Sequence, residues 1–181
     1  RNGVCYIGGA PKVFPQLTVA ENLLSGEALW RRALRSWRGY IQEMRHWLDD
    51  GGIELPLTCT LDSLPMEDWF FVEILGRLFR SPKVLILDEA LEGLSPARKL
   101  SLMPLLRRRM SSGMVVLWIT HKIDEAVLMA DRLSVVRNGQ ILLSSRPEGL
   151  EHLNLIHLCY AQLEERDETD ATMRQFQQLM R

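Results

Sequence analysis

The chain has 181 residues and a formal net charge of −1, with acidic and basic residues interspersed. That length holds one domain with a sizeable core, and that charge sets up no bulk field toward nucleic acid or an anionic membrane. No uninterrupted apolar run approaches the roughly 18 residues of a membrane-spanning helix, and Cys5, Cys59 and Cys159 share no metal-ligand spacing, which suits a reducing compartment. No signal-peptide pattern is present. The chain begins at Arg1, so it is expected to be a piece of a longer protein.

In chain order, Val4-Cys5-Tyr6-Ile7 predicts a short strand closed by a turn at Gly8-Gly9. Thr18 with Glu21 three residues on forms a capping box that opens a helix. Leu23, Leu24, Leu29, Trp30, Leu34, Trp37, Tyr40, Ile41, Met44, Trp47 and Leu48 then recur at helical spacing. Their aromatic members read as core or a protein contact face sooner than as a stacking platform for a base or sugar. Asp49-Asp50-Gly51-Gly52 reads as a polar helix end sooner than as a metal pair. Trp69, Val72, Leu75 and Leu78 or Phe79 carry a further helix.

Val84 to Leu87 is a continuous apolar run that ends in Asp88-Glu89. Such a run reads as a strand buried on both faces of a parallel sheet. Acids at its carboxyl end lie where open α/β sheets bind ligands. There Asp88 would hold Mg²⁺ through its water shell, and Glu89 would orient or deprotonate an attacking water. An ordinary solvated acidic turn is the alternative. Ser95 before Pro96 reads as the N-cap of a helix from Ala97 to Met110, which ends at Ser111-Ser112-Gly113. Its Arg107-Arg108-Arg109 group reads as a solvated face.

Met114 to Ile119 predicts the next buried strand, with His121 past its carboxyl end, and Ile123 to Met129 a short helix. Leu133–Val136 and Ile141–Ser144 pair as a hairpin, with Asn138-Gly139 supplying the tight turn. Beyond Gly149, Leu153, Ile156, Tyr160 and Leu163 form a short heptad seam. After a charged break from Glu164 to Asp170, Met173, Phe176 and Met180 resume in another phase. A helical, coiled-coil-like linker into a further module is expected, with a terminal helix packed on its own domain as the alternative.

Four blocks, in order and spacing, resemble the ATP-binding cassette (ABC) ATPases. They are Phe14-Pro15-Gln16-Leu17-Thr18-Val19-Ala20-Glu21-Asn22-Leu23 after that family's glutamine loop, Asp88-Glu89 at its Walker B end, Leu117 to Ala126 as its switch-histidine segment, and Ala130 to Ile141 as the next strand-turn-strand. The likeness covers residues 1 to about 145. Its wording around His121 is most similar to the ATPases of simple-sugar importers.

The resemblance implies an α/β, P-loop-NTPase-like fold with a mostly parallel sheet. It implies a cassette domain over 1–148 with a helical subdomain at about 18–80, while the expected C-terminal helix over 149–181 departs from the family pattern. It implies ATP and Mg as ligands, Asp88 on the metal through water, and Glu89 and His121 as the catalytic pair, with His121 reading the γ-phosphate. It also implies a cytoplasmic domain at the inner face of a membrane. That domain would dimerise with itself or another ABC-like domain and would work beside a membrane permease or a fused signalling module. It would neither insert in the membrane nor bind nucleic acid.

The chain departs from the family pattern at several positions. Gly9 stands where the loop's Gln is expected, so that contact is lost. Leu64-Pro65-Met66-Glu67-Asp68 stands for the signature Leu-Ser-Gly-Gly-Gln: Pro65 donates no N–H, and Glu67 brings negative charge to a would-be triphosphate. Ser95 stands for the Asp of the D-loop. Walker A, Gly-x-x-x-x-Gly-Lys-Ser/Thr, is not in this sequence, and no Gly-Lys dipeptide occurs in it. Its strand and phosphate cradle are therefore missing, which implies a gap in the core and weak or no ATP binding by this chain. The expected function is a degenerate ABC-type ATP-binding domain that does not hydrolyse ATP in this form. It would serve as a regulatory, sensory or interaction module of a larger signalling protein. The alternative is a fragment of an active ATP-hydrolysing subunit of a sugar-type importer.

Overall fold

A computed structural model describes residues 3–25 and 36–148, together with Leu155 and Cys159. The chain divides into two compact units, Arg1–Ile119 and Thr120–Arg181. The first holds β1 (Val4–Gly8), α1 (Val19–Leu24), α2 (Trp37–Asp50), a 3-10 turn (Leu61–Ser63), α3 (Met66–Phe79), β2 (Val84–Asp88), α4 (Pro96–Ser111) and β3 (Val115–Ile119). The strands form a parallel sheet in the order β1-β2-β3. Its register aligns Val4, Val84 and Val115 at one end and Gly8, Asp88 and Ile119 at the other. All three carboxyl ends therefore lie on one edge, as in an α/β P-loop-NTPase-like fold.

Local signals explain the helices. Thr18 and Glu21 close the capping box: Glu21 N–H donates to Thr18 Oγ1 at 3.2 Å, and Thr18 N–H donates to the Glu21 carboxylate at 2.8 Å. Buried Asn22 ties the preceding loop to α1. Its carbonyl oxygen accepts from Phe14 N–H at 2.7 Å, and its amide donates to the Phe14 and Leu17 carbonyls at 2.9 and 3.2 Å. From α3, buried Glu73 accepts from Lys12 N–H at 2.9 Å, so the chain leaving β1 is held from both sides. These buried polar groups are tolerated because each is hydrogen-bonded.

On α2, Tyr40, Met44 and Leu48 form the buried stripe, and Trp47 packs edge-on against Phe79 with centroids 5.3 Å apart. Gly52, at φ +65°, turns the chain out of the helix. Three residues of the expected stripe, Leu29, Trp30 and Leu34, lie outside the described residues. Helix α3 is apolar on most sides, with Phe71, Val72, Ile74, Leu75 and Leu78 all buried. Gly76 lets it approach α1, since a Cβ there would stand 3.2 Å from the Leu23 carbonyl oxygen.

The sheet is covered on one face. Cys5, Ile7, Leu85, Leu87, Val116 and Trp118 belong to the core with α3 and α4 residues such as Phe71, Leu75, Leu102 and Leu105. The opposite face carries Val4, Tyr6, Val115, Leu117 and Ile119, which are 53%, 49%, 59%, 52% and 47% exposed. This corrects the expectations that Val84–Leu87 is buried on both faces and that Met114–Ile119 is a buried strand. Burial alternates along β2, with Leu85 and Leu87 inside and Val84 and Ile86 half-buried, because the described helices pack on one side only.

In the second unit, α5 (Ile123–Met129) precedes an antiparallel hairpin of β4 (Leu133–Arg137) and β5 (Gln140–Ser145). Asn138 and Gly139 take φ of 49° and 76°, the double positive φ of a tight hairpin turn. Val135 and Leu155 are buried with Ile123, Val127, Leu133 and Leu143 packed around them. The whole expected seam, Leu153, Ile156, Tyr160 and Leu163, and the later Met173, Phe176 and Met180 lie outside the described residues. Among the described residues no helix is long and apolar enough to cross a membrane.

The two sheet faces should respond differently to truncation. Leu85→Ala is expected to cost about 2–5 kcal/mol through the cavity it leaves. Leu117→Ala, already half in water, is expected to cost under about 1 kcal/mol. Urea denaturation of both variants checks this.

Candidate functional site

At the carboxyl edge of the sheet, Asp88 ends β2 directly opposite Gly8 of β1. Tyr6 lies two residues before Gly8, on the same face of β1. Its hydroxyl reaches diagonally across and donates to Asp88 Oδ2 at 2.7 Å. Gly8 makes this reach possible: a Cβ there would stand 2.5 Å from the Tyr6 hydroxyl and 3.0 Å from the Asp88 Cβ. The hydrogen bond to the carboxylate raises the Tyr6 pKa, with burial and the Asp88 charge adding to it, so the phenol stays a proton donor at neutral pH. Lys12 Nζ stands 5.8 Å from the Tyr6 ring centroid. Sequence reasoning places Tyr6 in a strand and gives it no role at the site, although its two-residue spacing from a glycine at the strand end is a usable signal.

Glu89 comes next with φ 55°, a left-handed conformation uncommon for a residue with a side chain. Its N–H donates to the Ile119 carbonyl at 2.9 Å, which ties the turn after β2 to the end of β3. Its side chain is exposed. Gly9, at φ +64°, turns the chain away from the edge, and a Cβ there would meet nothing within 4 Å. A hydrated Mg²⁺ on Asp88 would offer a metal-bound water to the carboxylate. As arranged, Oδ2 already accepts one such O–H donor, the Tyr6 hydroxyl, which a metal-bound water at that oxygen would have to displace.

The second group lies at the N-termini of α3 and α4. Pro65 holds the N-cap position of α3 and makes no side-chain cap. Leu64 is half-buried, its carbonyl and that of Leu61 accepting from Trp69 Nε1 at 3.3 and 2.9 Å, and Met66 is 64% exposed. Ser95 caps α4 through Oγ, which accepts from Arg98 N–H at 3.3 Å. Glu67 Oε1 accepts from Ser95 N–H at 2.7 Å. The Ser95 hydroxyl and N–H together hold the Glu67 pKa below the ordinary glutamate value, against a small opposing effect of burial and with help from the Arg98 charge. Buried Asp68 pairs with Arg98 Nη2 at 2.6 Å, and that guanidinium lies over the Phe71 ring at 4.6 Å. A helix N-terminus favours an anion. At α4 that anion is Glu67, from the same chain. Just before it, Gly93 passes close to α3, where a Cβ would stand 2.8 Å from the Phe70 ring.

His121 belongs to the second unit and is exposed. Beside it, Lys122 N–H donates to Thr120 Oγ1 at 3.0 Å, and Lys122 Nζ lies 3.9 Å from Glu125.

No family model matches the chain. It is 29% identical over 154 residues to the xylose import ATP-binding protein XylG of Geobacillus kaustophilus, which covers 85% of this chain and 31% of that protein. It is 31% identical over 158 residues to the ribose import ATP-binding protein RbsA 3 of Rubrobacter xylanophilus, which covers 87% and 32%. The chain thus spans about a third of the length of these curated relatives. A solved ATP-binding subunit of an ABC transporter superposes with a TM-score of 0.65 at 20% identity, over 96% of this chain and 69% of its own. A dimeric ATP-binding cassette with ADP and Pi superposes at 0.65 and 18% identity, over 81% and 64%. The chain has the fold of ABC ATPase domains, and its sequence is similar to ATP-binding subunits of sugar importers.

The α3–α4 contact makes two predictions. A double-mutant cycle of Asp68→Asn and Arg98→Gln should return a coupling of about 1–3 kcal/mol in chemical denaturation. Because the Glu67 pKa is depressed in the fold, its stabilising contribution is complete above the ordinary value of about 4.3 and fades as pH falls through the lower folded value. The melting-temperature gap between wild type and Glu67→Gln should therefore be present at neutral pH and close in strong acid.

Proposed function

We propose that this chain is a degenerate ABC-type domain that does not turn over ATP in this form and acts as a regulatory or interaction module of a larger protein. The observation that carries this reading is that Glu67 and Asp68 are engaged on Ser95 and Arg98. A triphosphate brought to the start of α3 would meet two carboxylates, and Pro65 offers it no N–H. Gly9 and the hydrogen-bonded Asp88 support the same reading. The domain is cytoplasmic, at the inner face of a membrane. Its partners are a second copy or another ABC-like domain, with a membrane permease or a fused signalling module beyond. ATP and Mg²⁺ bind weakly or not at all, and the 149–181 segment links the cassette of residues 1–148 to a further module.

A second reading is a fragment of an active ATP-hydrolysing subunit of a sugar-type importer. Asp88, Glu89 and His121 favour it, as do relatives whose names are xylose and ribose import ATP-binding proteins. Calorimetric titration of MgATP with a phosphate-release assay, run on this chain and on a version extended upstream with a Gly-x-x-x-x-Gly-Lys-Ser/Thr cradle, separates the two. The module reading expects no release above background from either version. Release by the extended version that disappears in Glu89→Gln favours the reading as part of an ATP-hydrolysing subunit instead.

A further inference from the structure

We propose that the Tyr6 hydroxyl plugs the cation position at Asp88, donating to Oδ2 in the place of a metal-bound water, so that phenol and hydrated cation compete for one carboxylate oxygen. This deepens the reading above and rests on Asp88 as the cation-side carboxylate. The arrangement is specific to these residues. The register sets Gly8 against Asp88, and same-face spacing puts Tyr6 one pair back along the strand. A phenol is long enough to span that pair only if nothing stands between, and Gly8 removes the intervening Cβ. The resulting contact, 2.7 Å from hydroxyl to carboxylate oxygen, has the length of a charge-assisted bond.

A metal-bound water approaches a carboxylate in the same way, as an O–H donor. The two donors are alike at the oxygen and differ in what lies behind them, a dication in one case and a neutral ring in the other. The Lys12 ammonium, 5.8 Å from the Tyr6 ring centroid, adds positive charge that opposes a dication further. Tyr6 lies on the open face of the sheet and is 49% exposed, so its ring has room to swing away. The plug is therefore a competitor and not a permanent block.

The test is Mn²⁺ titration of the full chain in the presence of ATP, with free Mn²⁺ read by electron paramagnetic resonance. The variants are wild type, Tyr6→Phe, and Tyr6→Phe combined with Asp88→Asn. Tyr6→Phe keeps the ring and removes the donor, so its affinity should rise about tenfold, the worth of one hydrogen bond to a charged group. The gain should vanish in the double variant. Gly8→Ala, whose Cβ must push the phenol off Asp88, should shift affinity in the same direction as Tyr6→Phe. Equal affinity of wild type and Tyr6→Phe, including no binding by either, overturns the plug, as does a gain that survives Asp88→Asn. Phosphate release by the wild type would sink the module reading and leave the plug standing or falling on its own titration.

Discussion

The pairing of Gly8 with Asp88 decides what the carboxyl edge of the sheet can do. Because side chains alternate along a strand, a slip of one residue would turn Tyr6 onto the helix-covered face and leave its hydroxyl in the core. In the register observed, Tyr6, Gly8, Ile86 and Asp88 share a face, and the bare glycine becomes the path by which a phenol reaches a carboxylate. The same register brings Ile119 level with Asp88, so that its carbonyl receives the Glu89 N–H and holds the turn after β2. Three strand ends thus set the positions of both acids.

The second organising contact answers an electrostatic requirement. The N-terminus of α4 is the positive end of a helix dipole, and an anion there is stabilising. Glu67 supplies one from the neighbouring helix. Asp68 extends the link, its carboxylate held by Arg98, whose guanidinium in turn covers Phe71. Pro65 and Met66 open α3 without a side-chain cap, and Glu67 points its carboxylate to Ser95. The start of α3 is thus an anion source that fastens α3 to α4.

These two contacts share a logic. At Asp88 a neutral donor meets the carboxylate, and at Ser95 an internal carboxylate meets the donors. In both places the chain's own groups satisfy a charge or a dipole. The core behind them is ordinary close packing of α3 against α1 and the sheet. The open sheet face carries half-exposed aliphatic residues whose replacement disturbs little of that core.

What lay in the sequence was what a few neighbouring residues decide together. Thr18 and Glu21 cap each other across one helical turn, Asn138-Gly139 adopts the paired positive φ that a two-residue hairpin needs, and Ser95 with Pro96 starts α4. The apolar run into Asp88-Glu89 was legible as a parallel strand with acids at its carboxyl end. Whether that run is covered on one face or two was not, because a continuous apolar stretch looks the same in both cases and the covering layer comes from distant chain. Tyr6 reaches Asp88 across 82 residues, Glu67 reaches Ser95 across 28, and Asp68 reaches Arg98 across 30. Only the packed sheet and helices bring these groups within hydrogen-bond distance, since donor and acceptor identities say nothing about pairing until the backbone has placed them.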